Sequence, residues 1–319
     1  MKNLRGVVQA IRESHHVMVC SHVEPDGDSV GSQLAMASIL RDLGKGVAIV
    51  NQDPVPARYK FLDSCGLIRD QLPAGFRPDT VAMLDCSTLD RLGTVRDFIA
   101  PDATVITIDH HPYLSKPEDP TYLEPKASST GELIVDLLKD LEIPIGRERA
   151  IQLYTAIIAD TGGFRFPNTS AKCLAVAAEL AAEGAKPDSI AAQVYEQRSA
   201  SSLKLLGRAL GKIETLENNR VGLVCLDRRD MEECQAHPDG AAGIADHLLS
   251  LKGCLVGVLI REESSDTVKV SLRSRGAIKS NKIAEALGGG GHPNAAGYRA
   301  KGSLSMVRDR ALMEIKKWL

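Results

Sequence analysis

Short apolar runs without alternation punctuate the first half of the chain: Val17 to Cys20, Val47 to Val50, Val81 to Leu84 and Val105 to Ile108. A strand with one wet face would alternate apolar and polar positions, so unbroken four-residue runs predict strands covered on both faces. Helical spacing intervenes between them. Val30, Leu34, Ala37 and Arg41 lie at i, i+4, i+7 and i+11 of a stretch reaching Leu43, which predicts an amphipathic crossover helix with a polar end. Strand, helix and strand in this order predict an α/β layer with a mostly parallel sheet and flanking helices.

From residue 129 the pattern turns helical, with segments at Glu132 to Leu141, Arg147 to Ala159, Ala171 to Glu183 and Asp188 to Arg198; Gly184 and Pro187 mark a stop and a restart. A connecting helix over Ser201 to Glu214 follows. Two strands around Asn218-Asn219, strands at Leu255 to Arg261 and Val268 to Arg273, and helices at Gly240 to Leu251, Asn281 to Leu287 and Ser303 to Leu319 predict a smaller α+β domain. The expected organisation is a first domain over 1–186, a helical linker over 187–210 and a second domain over 211–319, with an active-site cleft between the two domains.

At 319 residues, with 44% hydrophobic and 25% charged positions, the chain has the composition of a folded globular protein. No apolar run approaches the ~20 residues of a membrane helix, and the charged N-terminus lacks the apolar stretch of a signal peptide, so a cytoplasmic protein with no membrane partner is expected. The seven cysteines are odd in number and widely spaced, which disfavours a zinc ribbon or a disulfide framework. Net charge is −2, but it is unevenly spread. Residues 267–319 carry eleven Lys and Arg against three Asp and Glu, a balance of +8 that leaves −10 on residues 1–266. An anionic ligand met at the C-terminal end and cations held by the acidic part suit that division.

Candidate chemistry falls where an open α/β sheet binds ligands, at the carboxyl ends of its strands. His22, Asp26 and Asp28 follow the first apolar run in SHVEPDGD; Asp85 follows the third; Asp109, His110 and His111 close the fourth; Asp160 sits in AIIADTGGF. Each alone is weak, since a lone Asp at a strand end is commonly a cap. Four such clusters after four independent apolar runs point to a shared metal site, because their carboxylates would repel without cations. Carboxylate oxygens with imidazole and no thiolate favour manganese or magnesium, with cobalt or zinc as substitutes. One carboxylate can bridge two ions, and Asp85, central among the clusters, is the candidate bridge.

HVEPDGD, the lone Asp85, the DHH triplet at 109–111 and ADTGGF at 159–164 resemble the four motifs of the DHH phosphoesterase superfamily, which includes RecJ-type exonucleases and family II pyrophosphatases. SLRSRG and GGGGHPNAAG resemble its associated C-terminal domain, and the whole chain is similar to the NrnA-type oligoribonuclease and pAp phosphatase group. The resemblance implies that His22, Asp26 and Asp85 hold one manganese and that Asp28, Asp85, His110 and Asp160 hold the other. Asp109 would orient the site from behind, and His111 would face the scissile phosphate.

In the C-terminal motif, Gly288 to Gly291 can bring backbone N–H groups to an anion, followed by His292 and Asn294. Arg273 and Arg275, two apart on a predicted strand, would point the same way and grip a phosphate. The expected substrate contacts are therefore Arg273, Arg275, Gly289, Gly290, Gly291, His292 and Asn294. Ser129 to Glu132 reads as a capping box, which makes Ser129 a helix cap and not a nucleophile. Twelve aromatic residues leave little for stacking a long single strand. Very short RNA oligonucleotides and pAp are thus the expected substrates, and a second copy of the chain is an admissible partner. A family II-like pyrophosphatase, a hydrolase of linear dinucleotides such as pApA, and a non-catalytic nucleotide-binding module are the alternatives.

Overall fold

The computed structural model describes residues 4–86, 88–111 and 120–319. The chain divides into two compact units, Met1–Gln197 and Arg198–Leu319. In the first, strands β1 (His16–Cys20), β2 (Gly46–Val50), β3 (Ile68–Arg69), β4 (Thr80–Leu84), β5 (Thr104–Asp109) and β6 (Thr121–Leu123) form one parallel sheet in the order β3-β2-β1-β4-β5-β6. The four predicted runs are its central strands; β3 and β6, only two and three residues long, carry too little pattern to be read. Helices α1 (Leu4–Glu13), α2 (Gly27–Asp42), α3 (Thr130–Asp140), α4 (Gly146–Asp160), α5 (Ala171–Ala182) and α6 (Pro187–Tyr195) complete the unit. The charged N-terminal segment is the amphipathic helix α1, with Leu4, Val7, Val8 and Ile11 buried on one stripe.

α2 is not the one-sided helix its spacing suggests. Nearly every residue from Gly27 to Leu40 is buried, polar ones included, and only Arg41 and Asp42 at its end are exposed. It packs against α4 so closely that a Cβ on Gly31 would lie 2.3 Å from the Gln152 carbonyl oxygen, an approach only glycine permits. Buried polar side chains on such a helix need partners. Gln33 finds one in Asn51 at the end of β2, the two amides exchanging hydrogen bonds of 2.7 and 2.9 Å.

The second unit holds α7 (Ala200–Gly211), β7 (Glu214–Leu216), β8 (Val221–Leu226), α8 (Arg228–Glu233), α9 (Ile244–Leu248), β9 (Val256–Glu262), β10 (Thr267–Ser274), α10 (Ser280–Ala286), β11 (Gly290–His292), β12 (Ala295–Lys301) and α11 (Leu304–Lys316). Its mixed sheet runs β11-β12-β10-β9-β8-β7, with only β8 and β9 parallel. One face carries α10 and α11 over Val258, Val270 and Tyr298; the other buries Val224, Leu226 and Leu259 beneath α7 and α9. The helix expected over 240–251 is broken, because Gly243 adopts φ 82° and separates a 3-10 turn at Pro238–Ala241 from the five-residue α9. Within the segment expected as a linker, Ile190 and Val194 of α6 join the first unit's core, while Leu205 and Ala209 of α7 join the second's. Among the described residues no helix is long and apolar enough to cross a membrane.

Candidate metal centre and its family

The strand order reverses between β1 and β4, and a crevice opens at such a switch point beyond the strands' carboxyl ends. The residues after β1 and β4 supply its walls. Asp26 caps α2, its carboxylate accepting from the backbone N–H groups of Asp28 and Ser29 at 3.0 and 3.1 Å, so the first turn of α2 carries Asp28 into the crevice. His22 donates from Nδ1 to the Val23 carbonyl at 2.7 Å, which leaves Nε2 facing Asp85 Oδ2 at 3.4 Å. Asp85 itself adopts φ 53°. This left-handed conformation costs a non-glycine residue roughly 1–3 kcal/mol and is found where surrounding structure holds a functional group in place.

Around Asp85 the separate segments converge. His110 Nε2 lies 3.6 Å from Asp28, 3.6 Å from Asp85 and 3.5 Å from Asp160. His110 Nδ1 faces the Ala127 carbonyl at 3.3 Å, which fixes the ring with Nε2 toward the carboxylates. His111 turns differently: its Nδ1 meets Asp109 Oδ1 at 2.7 Å and stands 3.5 Å from Asp85. Ligand atoms of His22, Asp26 and Asp85 form one group within 4.8 Å of one another, and those of Asp85, His110 and His111 form a second, with Asp85 in both.

The buried charges are out of balance without cations. Burial pushes Asp28 up to about 6 and Asp160 up to about 7, and burial together with Asp28 and Asp26 raises Asp85 well above the carboxylate range. Burial disfavours a charged His110, yet attraction from Asp160, Asp28 and Asp85 outweighs it and moves the imidazole up to about 9. The surplus of carboxylates that raises the His110 imidazole is the same surplus that divalent ions would neutralise. The donor set, carboxylate oxygens with an imidazole and no thiolate among the converging groups, fits such ions.

All eight sequence-read residues of the first unit meet here, including Asp109, which accepts from the His111 backbone N–H at 3.1 Å as well as from its ring. Sequence reasoning missed the segment 128–131. Ser129 does cap α3, accepting from Glu132 N–H at 3.2 Å, but the Glu132 carboxylate bonds Ser128 N–H and Oγ, one residue earlier than a capping box requires. The N–H groups of Thr130 and Gly131 donate to the two Asp28 oxygens at 2.6 and 2.9 Å. The helix start was legible in Ser129; its target was not, because Asp28 lies a hundred residues away.

In the second unit two expectations are corrected. Arg275 lies one residue past β10 and is exposed, so it does not share a strand face with Arg273. Arg273 Nε is engaged by Asp246 at 2.8 Å. The glycine run is not a free anion nest. Gly288 and Gly289 N–H groups donate to carbonyls of α10, Gly290 and Gly291 enter β11, and a Cβ on Gly289 would lie 2.2 Å from the Gly297 carbonyl oxygen. Close strand packing, not ligand approach, accounts for that glycine. Asn294 Nδ2 donates to Ser274 Oγ at 3.2 Å. The His292 side chain lies outside the described residues.

A parallel sheet with carboxylates and imidazoles at its switch point, followed by a mixed-sheet unit, defines the class. The DHH family N-terminal domain matches residues 16–160 and the DHHA1 domain matches residues 228–319. The chain belongs to the DHH family. Among its relatives, the bifunctional oligoribonuclease and PAP phosphatase NrnA of Thermus thermophilus is 30% identical over 95% of this chain and 90% of its own. An exopolyphosphatase-related protein from Bacteroides fragilis shares the fold at TM-score 0.90 and 27% identity, covering 99% of this chain and 96% of its own. RecJ of Thermus thermophilus, solved in complex with Mn2+, matches at TM-score 0.59 and 15% identity over 99% of this chain and 55% of its own, a likeness of fold.

Proposed function

We propose that this chain is a metal-dependent phosphoesterase that degrades very short oligoribonucleotides to mononucleotides and converts pAp to AMP. The observation that carries the reading is the convergence of Asp28, Asp85 and Asp160 on one imidazole within 3.6 Å, at the sheet's switch point. The relative named for both activities is similar over nearly the whole chain. His22, Asp26 and Asp85 would hold one divalent cation and Asp28, Asp85, His110 and Asp160 the other, manganese first in preference and magnesium or cobalt after it. When bound, such ions supply water of lowered pKa and positive charge for the phosphoryl oxygens.

The chain's own residues do the rest. Asp109 fixes the His111 ring through Nδ1, so that the ring would face the scissile phosphate of the substrate. Thr130 and Gly131 donate to the Asp28 carboxylate and, with the His110 imidazole, offset part of the burial that pushes it up to about 6. The second unit would supply positive charge to a neighbouring phosphate through Arg273 and the exposed Arg275. A cytoplasmic enzyme fits such substrates. The test is a product time course with Mn2+ on 5′-labelled and 3′-labelled RNA of two to five nucleotides, alongside pAp. Mononucleotides and AMP are expected; intact substrates at every metal tested overturn the reading.

A further inference from the structure

We infer that Asn168 is a positioning residue for one of the two cation sites, the one formed by Asp28, Asp85, His110 and Asp160, and acts far less on the other, which shares only Asp85 with it. The inference rests on the metal-dependent reading above. Asn168 stands eight residues beyond Asp160, in the loop between α4 and α5, and none of the metal motifs includes it.

Its side-chain amide makes three contacts. Nδ2 donates to the Ser128 carbonyl at 2.8 Å, to the Asp160 carbonyl at 3.1 Å and to Asp160 Oδ2 at 3.3 Å. The Asp160 carbonyl closes α4, where the last turn's oxygens have no helical partner, so this donor also serves a helix end. The other tie matters more. Ser128 sits in the run that touches the remaining ligands: the Ala127 carbonyl meets His110 Nδ1, the Thr130 and Gly131 N–H groups hold Asp28, and Thr130 Oγ1 reaches Asp85 at 3.5 Å. One amide thus couples Asp160 to the segment that orients Asp28, Asp85 and His110. His22 and Asp26 are held by other means, the Val23 carbonyl and the cap of α2.

The carbonyl half of the Asn168 amide is buried without a hydrogen-bond partner among the described residues, so its polar anchoring runs entirely through the NH2 group. An aspartate of the same shape would place oxygen against three oxygens. Outer partners of metal ligands typically change metal affinity 10- to 100-fold when altered.

The experiment is Mn2+ titration calorimetry on the metal-stripped full chain, for wild type, Asn168→Ala and Asn168→Asp, with thermal melting of each stripped protein. The expected result is that both variants weaken one class of Mn2+ binding about 10- to 100-fold, keep the other class and melt with wild type when stripped. Two unchanged classes, two classes weakened alike, or a loss that tracks a lower melting temperature would overturn the inference, the last because it marks a structural role. Asp160→Asn is the control. If it binds Mn2+ as wild type does, the metal assignment itself fails and the role of Asn168 falls with it.

Discussion

The two units handle charge in opposite ways. In the first, Asp28, Asp85 and Asp109 are at most 1% exposed and crowd histidines that are 6–7% exposed, with carboxylate pKa values driven far from their usual range in both directions. In the second, the basic residues other than the buried Arg261 are partly or fully exposed, and many are matched: Arg273 with Asp246, Arg299 with Glu263, Lys301 with Asp266. A buried cluster with surplus negative charge is incomplete and selects a cation. A solvated, internally paired surface is complete as it stands, and an anion gains from it only by competing with carboxylates already there.

The sharpest way to break this contrast is at the residue common to both cation groups. Asp85→Ala should lower turnover by several orders of magnitude and reduce bound Mn2+, measured by elemental analysis, while circular dichroism stays native because the residue stands beyond the end of β4 and outside the core. Near-wild-type turnover would end its assignment as bridge. The DHH pair comes next in size. His110→Ala should lower metal occupancy, whereas His111→Ala should retain metal and lose mainly kcat, since its Nδ1 is committed to Asp109; equal metal loss in both would erase the division of roles.

Stability against pH tests the incompleteness directly. In the metal-free fold Asp28 and Asp160 titrate near 6 and 7, above the ordinary value of 3.8 that an unfolded chain restores. The folded state therefore binds more protons, so these two groups favour folding fully below pH ~4 and lose that contribution as pH rises through about 7. Stripped protein should melt higher at pH 5 than at pH 8, and Mn2+ should stabilise it most at pH 8, where protons compete least. A stripped protein more stable at pH 8 would contradict the charge imbalance.

The smallest effect belongs to the second unit. Losing one charge-assisted phosphate contact is worth ~1.5–3 kcal/mol, and Arg273 begins from an ion pair with Asp246. Arg273→Ala should raise KM for pAp and for dinucleotide by about tenfold with metal binding intact. Asp246→Ala, which frees the guanidinium, should lower KM. Unchanged KM in both would move the phosphate contact elsewhere.

The central strands and the eight ligand-type residues were readable because each is a local event: an apolar run, then a polar side chain where the run ends. What could not be read was long-range. α2 shows a one-sided stripe and is buried all round because α4 closes on Gly31. Thr130 and Gly131 look like an ordinary helix start and are the donors that hold Asp28. Asn168 has no local pattern at all.

By itself the chain determined its α/β class, the places of its carboxylates and imidazoles where apolar runs end, and the basic character of its last fifty residues, since each follows from periodicity and residue type over a few positions. Tertiary structure alone decided which of those groups meet on Asp85, that Arg273 is paired, and that the glycine run packs against β12. Those outcomes depend on distances between segments tens of residues apart, set by strand order and helix packing, and no local pattern encodes them.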